Sequence, residues 1–253
     1  MIEYNAILKE RKDINNGLAI FKFKVSPNFT FKPGQWATFE FEEDGKKILR
    51  PYSIASKPSK MPEIELFIRL INHDGKIGKF TGILFDSKIN DNFKIVKVGG
   101  IFTLDCNDKR TNIFVASGTG LAPFISILED YFEKNQAGNF IIIHGVSYKE
   151  DLAYFNLLTK YENEGKIIKY IPTLSRPKEN KKWSGECGRV ENLINGKKIQ
   201  RYLNEKLDPK KHSFYLCGHP DMIENINKFL LSLGFKDKED IKFEKYWSTP
   251  KKS

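Results

Sequence analysis

Two patterns of hydrophobic and polar positions divide the chain. Up to about residue 105, apolar and polar residues alternate over short stretches: Leu18–Val25 "LAIFKFKV", Gln35–Glu42 "QWATFEFE", Glu63–Leu70 "EIELFIRL" and Phe93–Val98 "FKIVKV". Successive side chains of a strand point to opposite faces, so a period of two marks a half-buried strand. Turn-forming clusters separate the stretches: Asn15-Asn16-Gly17, Lys32-Pro33-Gly34, Glu43-Asp44-Gly45 and His73-Asp74-Gly75. This spacing predicts a small antiparallel barrel or sandwich.

After about residue 110 the alternation gives way to continuous apolar runs. Asn112–Ser117 "NIFVAS", Asn139–Gly145 "NFIIIHG", Lys166–Ser175 "KIIKYIPTLS" and His212–Gly218 "HSFYLCG" read as strands, the first two as buried on both faces. Helical spacing fills Leu121–Phe132, Lys149–Tyr161 and the stretch from Pro220 to Leu233, and "IKFEKYW" (Ile241–Trp247) closes the chain as a strand. Strand and helix in alternation predict a doubly wound parallel sheet. A short linker falls near Cys106–Arg110.

Composition narrows the function. The 253 residues suffice for two modest domains, and 40% hydrophobic residues with 20 phenylalanines suffice for packed cores. No apolar run approaches membrane-spanning length, and "MIEYNAILKERKD" lacks the basic-then-apolar plan of a signal peptide, so a cytoplasmic protein is expected. Cys106, Cys187 and Cys217 are scattered and His73, His144, His212 and His219 lack ligand spacing. Neither a disulfide framework nor a zinc or iron–sulfur site is therefore expected, and no other metal. The net charge of +10 is spread along the chain. It fits nucleic acid, a lysine-rich composition, or a basic face for an acidic protein.

The stretch Ile48–Ser56, "ILRPYSIAS", places a cation, a ring and a hydroxyl within four residues. It is either an edge strand blocked by Pro51 or a strand that holds a ligand with an anionic end and a flat ring. A regular strand would send Arg50 and Tyr52 to one face and Pro51 and Ser53 to the other, so contact of all with one ligand requires a twist or an end there. Three further stretches suit phosphate. Gly118-Thr119-Gly120-Leu121-Ala122-Pro123 lies at a strand-to-helix junction, where backbone N–H groups are unpaired; it is a phosphate cradle or a plain tight turn. Gly78-Lys79-Phe80-Thr81 precedes a short apolar stretch, and Thr81 would cap a helix or bind phosphate. Arg176, after Leu174-Ser175, ends a sheet strand, where Arg189 could join it; Arg grips phosphate through paired hydrogen bonds.

Taken together these stretches resemble the ferredoxin–NADP reductase family, in particular its bacterial ferredoxin/flavodoxin reductase branch. The resemblance rests on "FKPGQ" (Phe31–Gln35), "RPYSIAS", "DGKIGKFT" (Asp74–Thr81), "GGIFTLD" (Gly99–Asp105), "ASGTGLAPF" (Ala116–Phe124), "LCGHPDMI" (Leu216–Ile223) and "EKYW" (Glu244–Trp247), in family order over essentially the whole chain. It implies an FAD-binding antiparallel β-barrel over residues 1–105 and an NADP-binding α/β doubly wound parallel sheet over 106–253. It implies that Arg50 binds the FAD pyrophosphate with Gly78 and Thr81, that Tyr52 lies on the isoalloxazine, and that Ser53 bonds near its N5. Pro51, Phe67, Lys79 and Phe80 would complete the FAD site. Gly118, Thr119 and Gly120 would cradle the NADP pyrophosphate and Cys217 would sit beside the nicotinamide, with Pro123, Gly218 and Asp221 also among the cofactor-binding residues. Ser175, Arg176 and Arg189 would read the 2′-phosphate. Glu244 and Tyr246 match the family's ending, with Tyr246 over the flavin's other face and Trp247 on the flavin or its adenine. The catalytic set would be Ser53, Cys217, Glu244 and Tyr246, and Tyr246 would have to move aside for the nicotinamide.

The implied activity is hydride exchange between NADPH and FAD, with single electrons passed to or from ferredoxin or flavodoxin, both acidic carriers. A monomer is expected, with no nucleic-acid partner. The alternatives are an oxygenase's reductase component or a flavin-binding regulatory subunit. Two departures from the family pattern stand out: Ser147 in "HGVSY" where relatives often carry Arg, with Lys149 nearby, and a tail "STPKKS" beyond Trp247.

Overall fold

The computed structural model describes residues 3–43, 45–73, 75–135, 137–180 and 182–246. They form two compact units: residues up to Leu104 with Ala122–Lys134, and Asp105–Leu121 with residues from Asn135 onward.

The first unit holds β1 (Tyr4–Asn15), β2 (Leu18–Val25), β3 (Trp36–Glu43), β4 (Lys46–Ser53), β5 (Glu63–Arg69), the short pair β6 (Asn72–His73) and β7 (Lys76–Ile77), helix α1 (Lys79–Asp86), β8 (Asn92–Gly99) and helix α2 (Ala122–Lys134). Six strands make an antiparallel sheet in the order β4-β3-β8-β1-β2-β5. Ile54, just past β4, bridges Leu66 of β5 and joins the two edges into a barrel. Inward-facing Ala6, Leu8, Phe21, Phe23, Phe39, Ile64, Leu66 and Ile95 fill it. Strand β1 escapes the period-two reading. Only Ala6 and Leu8 are buried along it, and its register with β2 shifts between Leu8 and Glu10 and between Asp13 and Asn15. Such bulges move side chains across faces and erase the alternation.

Helix α2 belongs to this unit by packing. The Ser126 hydroxyl donates to the Ser56 carbonyl at 2.6 Å, and Phe124 meets Phe102 with ring centroids 5.5 Å apart. Lys60 pairs with Glu129 at 3.0 Å and Lys57 with Glu133 at 2.5 Å.

The second unit holds β9 (Thr111–Ser117), β10 (Phe140–Val146), α3 (Phe155–Asn163), β11 (Lys169–Leu174), β12 (Glu186–Cys187), α4 (Val190–Asn195), α5 (Ile199–Leu203), β13 (His212–Gly218), α6 (Pro220–Ser232) and β14 (Ile241–Lys245). The strands lie parallel in the order β12-β11-β10-β9-β13-β14. The order runs outward from β9 one way and from β13 the other, so the topological switch falls between them. Open α/β sheets take ligands outside the carboxyl ends of strands at such a switch. Among the described residues no helix is long and apolar enough to cross a membrane.

The expected single helix over Lys149–Tyr161 is broken. A 3₁₀ turn covers Lys149–Asp151, where the buried Asp151 carboxylate accepts from the Tyr148 N–H at 3.3 Å. Tyr154 then takes a left-handed conformation at φ 59°, and α3 starts after it. Helices α4 and α5, at six and five residues, are too short for a periodic signal.

Candidate active site

In the first unit, β4 pairs regularly with β3: Phe39 faces Arg50, Thr38 Pro51, Ala37 Tyr52 and Trp36 Ser53. The strand ends at Ser53, and the next residue bridges β5 instead. Arg50 and Pro51 are exposed, Tyr52 is half-buried and Ser53 is buried. Tyr52 stacks on Phe80 with centroids 5.1 Å apart and planes 26° apart. Burial pushes its phenol well above the ordinary tyrosine range, and the Arg50 charge offsets this only in part. Phe80 is the second residue of α1, so Tyr52 lies against that helix's first turn and Arg50 shares its face.

The α1 N-terminus opens on a glycine. Gly78 is its N-cap and, having no side chain, supplies no side-chain cap. The Arg50 guanidinium donates to its neighbour's carbonyl, Leu49 O, at 2.9 Å. An exposed cation and a glycine-capped helix N-terminus are both groups that suit a phosphate or pyrophosphate. The Thr81 hydroxyl accepts from the Ile71 N–H at 3.2 Å and donates to the Gly78 carbonyl at 3.0 Å, closing the base of the β6–β7 hairpin. Phe80, 3% exposed, packs into the barrel core; Phe67 is 4% exposed but lies between the inward-facing Leu66 and Ile68 and so turns to the other face of β5. Lys79 is exposed.

In the second unit, a 3₁₀ turn, Gly118–Leu121, follows β9 directly. A Cβ on Gly120 would stand 2.3 Å from the Cys217 carbonyl oxygen, and one on Gly218 2.3 Å from the Ser117 hydroxyl. Only glycines let these two loops touch, and Gly218 also adopts φ 131°. The buried His144 ring holds the Gly118 carbonyl through Nε2 at 3.0 Å, and Ser117 Oγ accepts from the His219 N–H at 2.9 Å. Pro123, one residue into α2, is buried. Asp221 is exposed in the first turn of α6, where its N–H donates to His219 Nδ1 at 3.2 Å.

Cys217 is fully buried beside this turn and faces Glu244 across the β13–β14 pairing. Burial pushes its thiol up, the Glu244 carboxylate adds to the rise, and a Tyr246 hydrogen bond opposes it; the sulfur stays protonated at neutral pH. Tyr246 is tied at both ends: its N–H donates to the Gly218 carbonyl at 2.9 Å and its hydroxyl to the Thr119 carbonyl at 3.3 Å. The switch point thus gathers Gly118, Thr119, Gly120, Cys217, Gly218, Glu244 and Tyr246. Trp247 and the tail lie outside the described residues.

Ser175, Arg176 and Arg189 are exposed at the carboxyl ends of β11 and β12, which pair Leu174 with Cys187. Tyr148, past the end of β10, was not singled out by its sequence context. Its hydroxyl accepts from Arg176 Nη1 at 2.7 Å, and the guanidinium carbon sits 5.4 Å from its ring centroid. His144 likewise gave no signal in the sequence beyond being a histidine within an apolar run.

Residues 5–102 match the model of the oxidoreductase FAD-binding domain and residues 114–228 that of the oxidoreductase NAD-binding domain. The chain is 30% identical over 238 residues to the flavodoxin/ferredoxin–NADP reductase of Buchnera aphidicola subsp. Schizaphis graminum, covering 88% of each chain. It is 28% identical to the ferredoxin–NADP reductase of Azotobacter vinelandii over 88% of this chain and 86% of that one. Its fold is similar to that of a ferredoxin NADP+ reductase from Neisseria gonorrhoeae solved with bound FAD and NADP, with a TM-score of 0.84 at 23% identity, covering 97% of this chain and 99% of that one.

Proposed function

Since the chain belongs to the ferredoxin/flavodoxin–NADP reductase family, we propose that it is an FAD-dependent ferredoxin/flavodoxin–NADP(+) reductase. It would exchange a hydride between NADPH and FAD, and single electrons with ferredoxin or flavodoxin. The observation that carries this reading is the switch-point cluster, where two glycine-bearing loops meet beside a buried thiol and beneath a tethered tyrosine.

The residues present fit both groups. Arg50 and the glycine-capped first turn of α1 would hold the FAD pyrophosphate, and Tyr52, backed by Phe80, offers a flat face for the ring. Ser53, at the end of β4, would bond the ring edge. When bound, FAD supplies the redox chemistry, taking electrons as a pair and releasing them singly.

The protein's part is placement. The Gly118–Gly120 backbone would orient the NADP pyrophosphate, with its shape fixed by His144 and by contact with Cys217. Cys217 is neutral and small, so it would bring no charge of its own to a nicotinamide beside it. Tyr246 would leave its bond to Thr119 when nicotinamide enters. Arg176, oriented by Tyr148, would read the 2′-phosphate with Arg189. The +10 charge suits acidic protein carriers, and we place the enzyme in the cytoplasm as a monomer.

The test is stopped-flow reduction of the purified yellow protein by NADPH and by NADH, followed by mixing with ferredoxin and flavodoxin. Fast reduction by NADPH and reoxidation by either carrier are expected. A colourless protein that takes up no FAD would sink the reading, and faster reduction by NADH would overturn the role of Arg176 and Arg189.

A further inference from the structure

Asn180 holds two loops together at the carboxyl edge of the parallel sheet. Its Oδ1 accepts from the Lys149 N–H at 2.9 Å, while its Nδ2 donates to the Arg176 carbonyl at 2.8 Å and the Ser147 carbonyl at 3.4 Å. The amide has one consistent orientation, because a flip would set its oxygen against two carbonyls. Its own backbone is fixed too: Asn180 N–H donates to the Pro177 carbonyl at 3.1 Å, and its carbonyl accepts from the Trp183 N–H at 2.9 Å. One side chain therefore joins the segment after β10, which carries Ser147, Tyr148 and Lys149, to the segment after β11, which carries Ser175 and Arg176.

These two segments bear two cations of that edge, Lys149 and Arg176, and Arg189 follows β12 beside them. Ser147 contributes no charge. Lys149 is exposed and pairs with no carboxylate among the described residues, and Arg176 has only a 3.8 Å exposed contact with Glu179. Such an exposed pair restrains little. Tyr148 orients the Arg176 guanidinium, but the Arg176 and Lys149 main chains are set by Asn180.

The geometry points to Asn180 as a positioning residue for 2′-phosphate recognition, holding Arg176 and Lys149 on one edge so that both cations face the same phosphate. Lys149 then supplies a charge that Ser147 cannot. This rests on the NADP reading above. A loop held in its binding geometry beforehand loses less freedom when ligand arrives, so cutting the tether weakens binding without removing a contact to ligand.

The experiment uses the FAD-loaded full chain and titration calorimetry with 2′,5′-ADP and 5′-AMP, which differ only in the 2′-phosphate. Asn180→Ala should weaken 2′,5′-ADP binding about five- to thirtyfold, as for one or two lost hydrogen bonds, and weaken 5′-AMP binding much less. Asn180→Asp keeps an acceptor for the Lys149 N–H but turns a negative charge on two carbonyls and the phosphate. Its loss should exceed that of the alanine variant and grow at low salt. With NADPH, KM should rise while kcat changes little. A wild type that binds the two nucleotides equally refutes the NADP reading. A wild type that prefers 2′,5′-ADP, with variants that keep the same preference, refutes the role of Asn180. Asn180→Ser provides the same comparison should either variant fail to fold.

Discussion

Replacing Gly120 with alanine would put a methyl carbon 2.3 Å from the Cys217 carbonyl oxygen, 2.6 Å from its carbon and 2.9 Å from Gly218 Cα. Ordinary contact begins near 3.4 Å, so the turn and the end of β13 must part by about 1 Å. Both sides of the clash are backbone, and neither can rotate away. Overpacking of this kind costs about 1–3 kcal/mol. For a chain of this size that lowers Tm by roughly 2–12 °C. The effect on ligand should be larger, because a 1 Å displacement of positioning groups can reduce a rate about 10²-fold. Gly118→Ala is the control. Gly118 has φ 55° but nothing within 4 Å of its added methyl. That variant bears the left-handed backbone penalty of about 1–2 kcal/mol without pushing the loops apart. Difference spectroscopy with NADP+ and stopped-flow reduction by NADPH would compare the two. Gly120→Ala should reduce nucleotide binding far more than Gly118→Ala. Equal effects would refute the claim that loop contact at Cys217 shapes the site.

Tyr246→Phe removes the hydroxyl bond to Thr119; if the ring must leave for nicotinamide, NADP+ affinity should rise about two- to tenfold, and Tyr246→Ser should raise it further. Unchanged or weaker binding by both would count against a gate. Cys106 and Cys187 are exposed while Cys217 is buried with a raised thiol, so Ellman's reagent should modify two thiols in the native protein and the third only in denaturant. A third thiol reacting as fast as the others would contradict the burial. Burial also lowers the pKa of His212, against the pull of Glu205 and the Asp208 carbonyl. The unfolded chain therefore takes up that proton first: the contribution is complete above about pH 6.5 and is lost as pH falls through the depressed native value. Urea denaturation at pH 7.5 and 5.5 should show a loss of at most about 1.4 kcal/mol per pH unit from this group, and a smaller loss in His212→Gln. A loss just as large in that variant would place its source elsewhere.

The barrel and the parallel sheet were legible because their strands carry one-sided or two-sided burial directly in the sequence. The period-two runs became β2, β3, β5 and β8, and the continuous runs became β9, β10 and β13. Strand β1 was hidden by its bulges, and the break before α3 by the Asp151 bond and the left-handed Tyr154. At the site, residues announced by backbone need were readable: Gly118, Gly120 and Gly218 stand where a side chain would strain or collide. Residues that act by reaching across the fold were not. His144, Tyr148 and Asn180 meet partners 26, 28 and 31 positions away, and no local pattern encodes that reach.

Helix α2 bears on how the protein is made. The barrel's strands are complete by Gly99, yet Ser126, Glu129 and Glu133, which anchor the Ser56–Lys60 segment, lie in a helix that ends at Lys134. During synthesis the second unit's first strand, β9, leaves the ribosome before the first unit has its last piece. At 5–20 residues per second, the interval from Leu104 to Lys134 is about two to six seconds. The nascent barrel passes that interval with the surface that α2 will cover still open. A chain cut at residue 104 would remain in that condition, so an excised N-terminal half should need its missing helix supplied as a peptide.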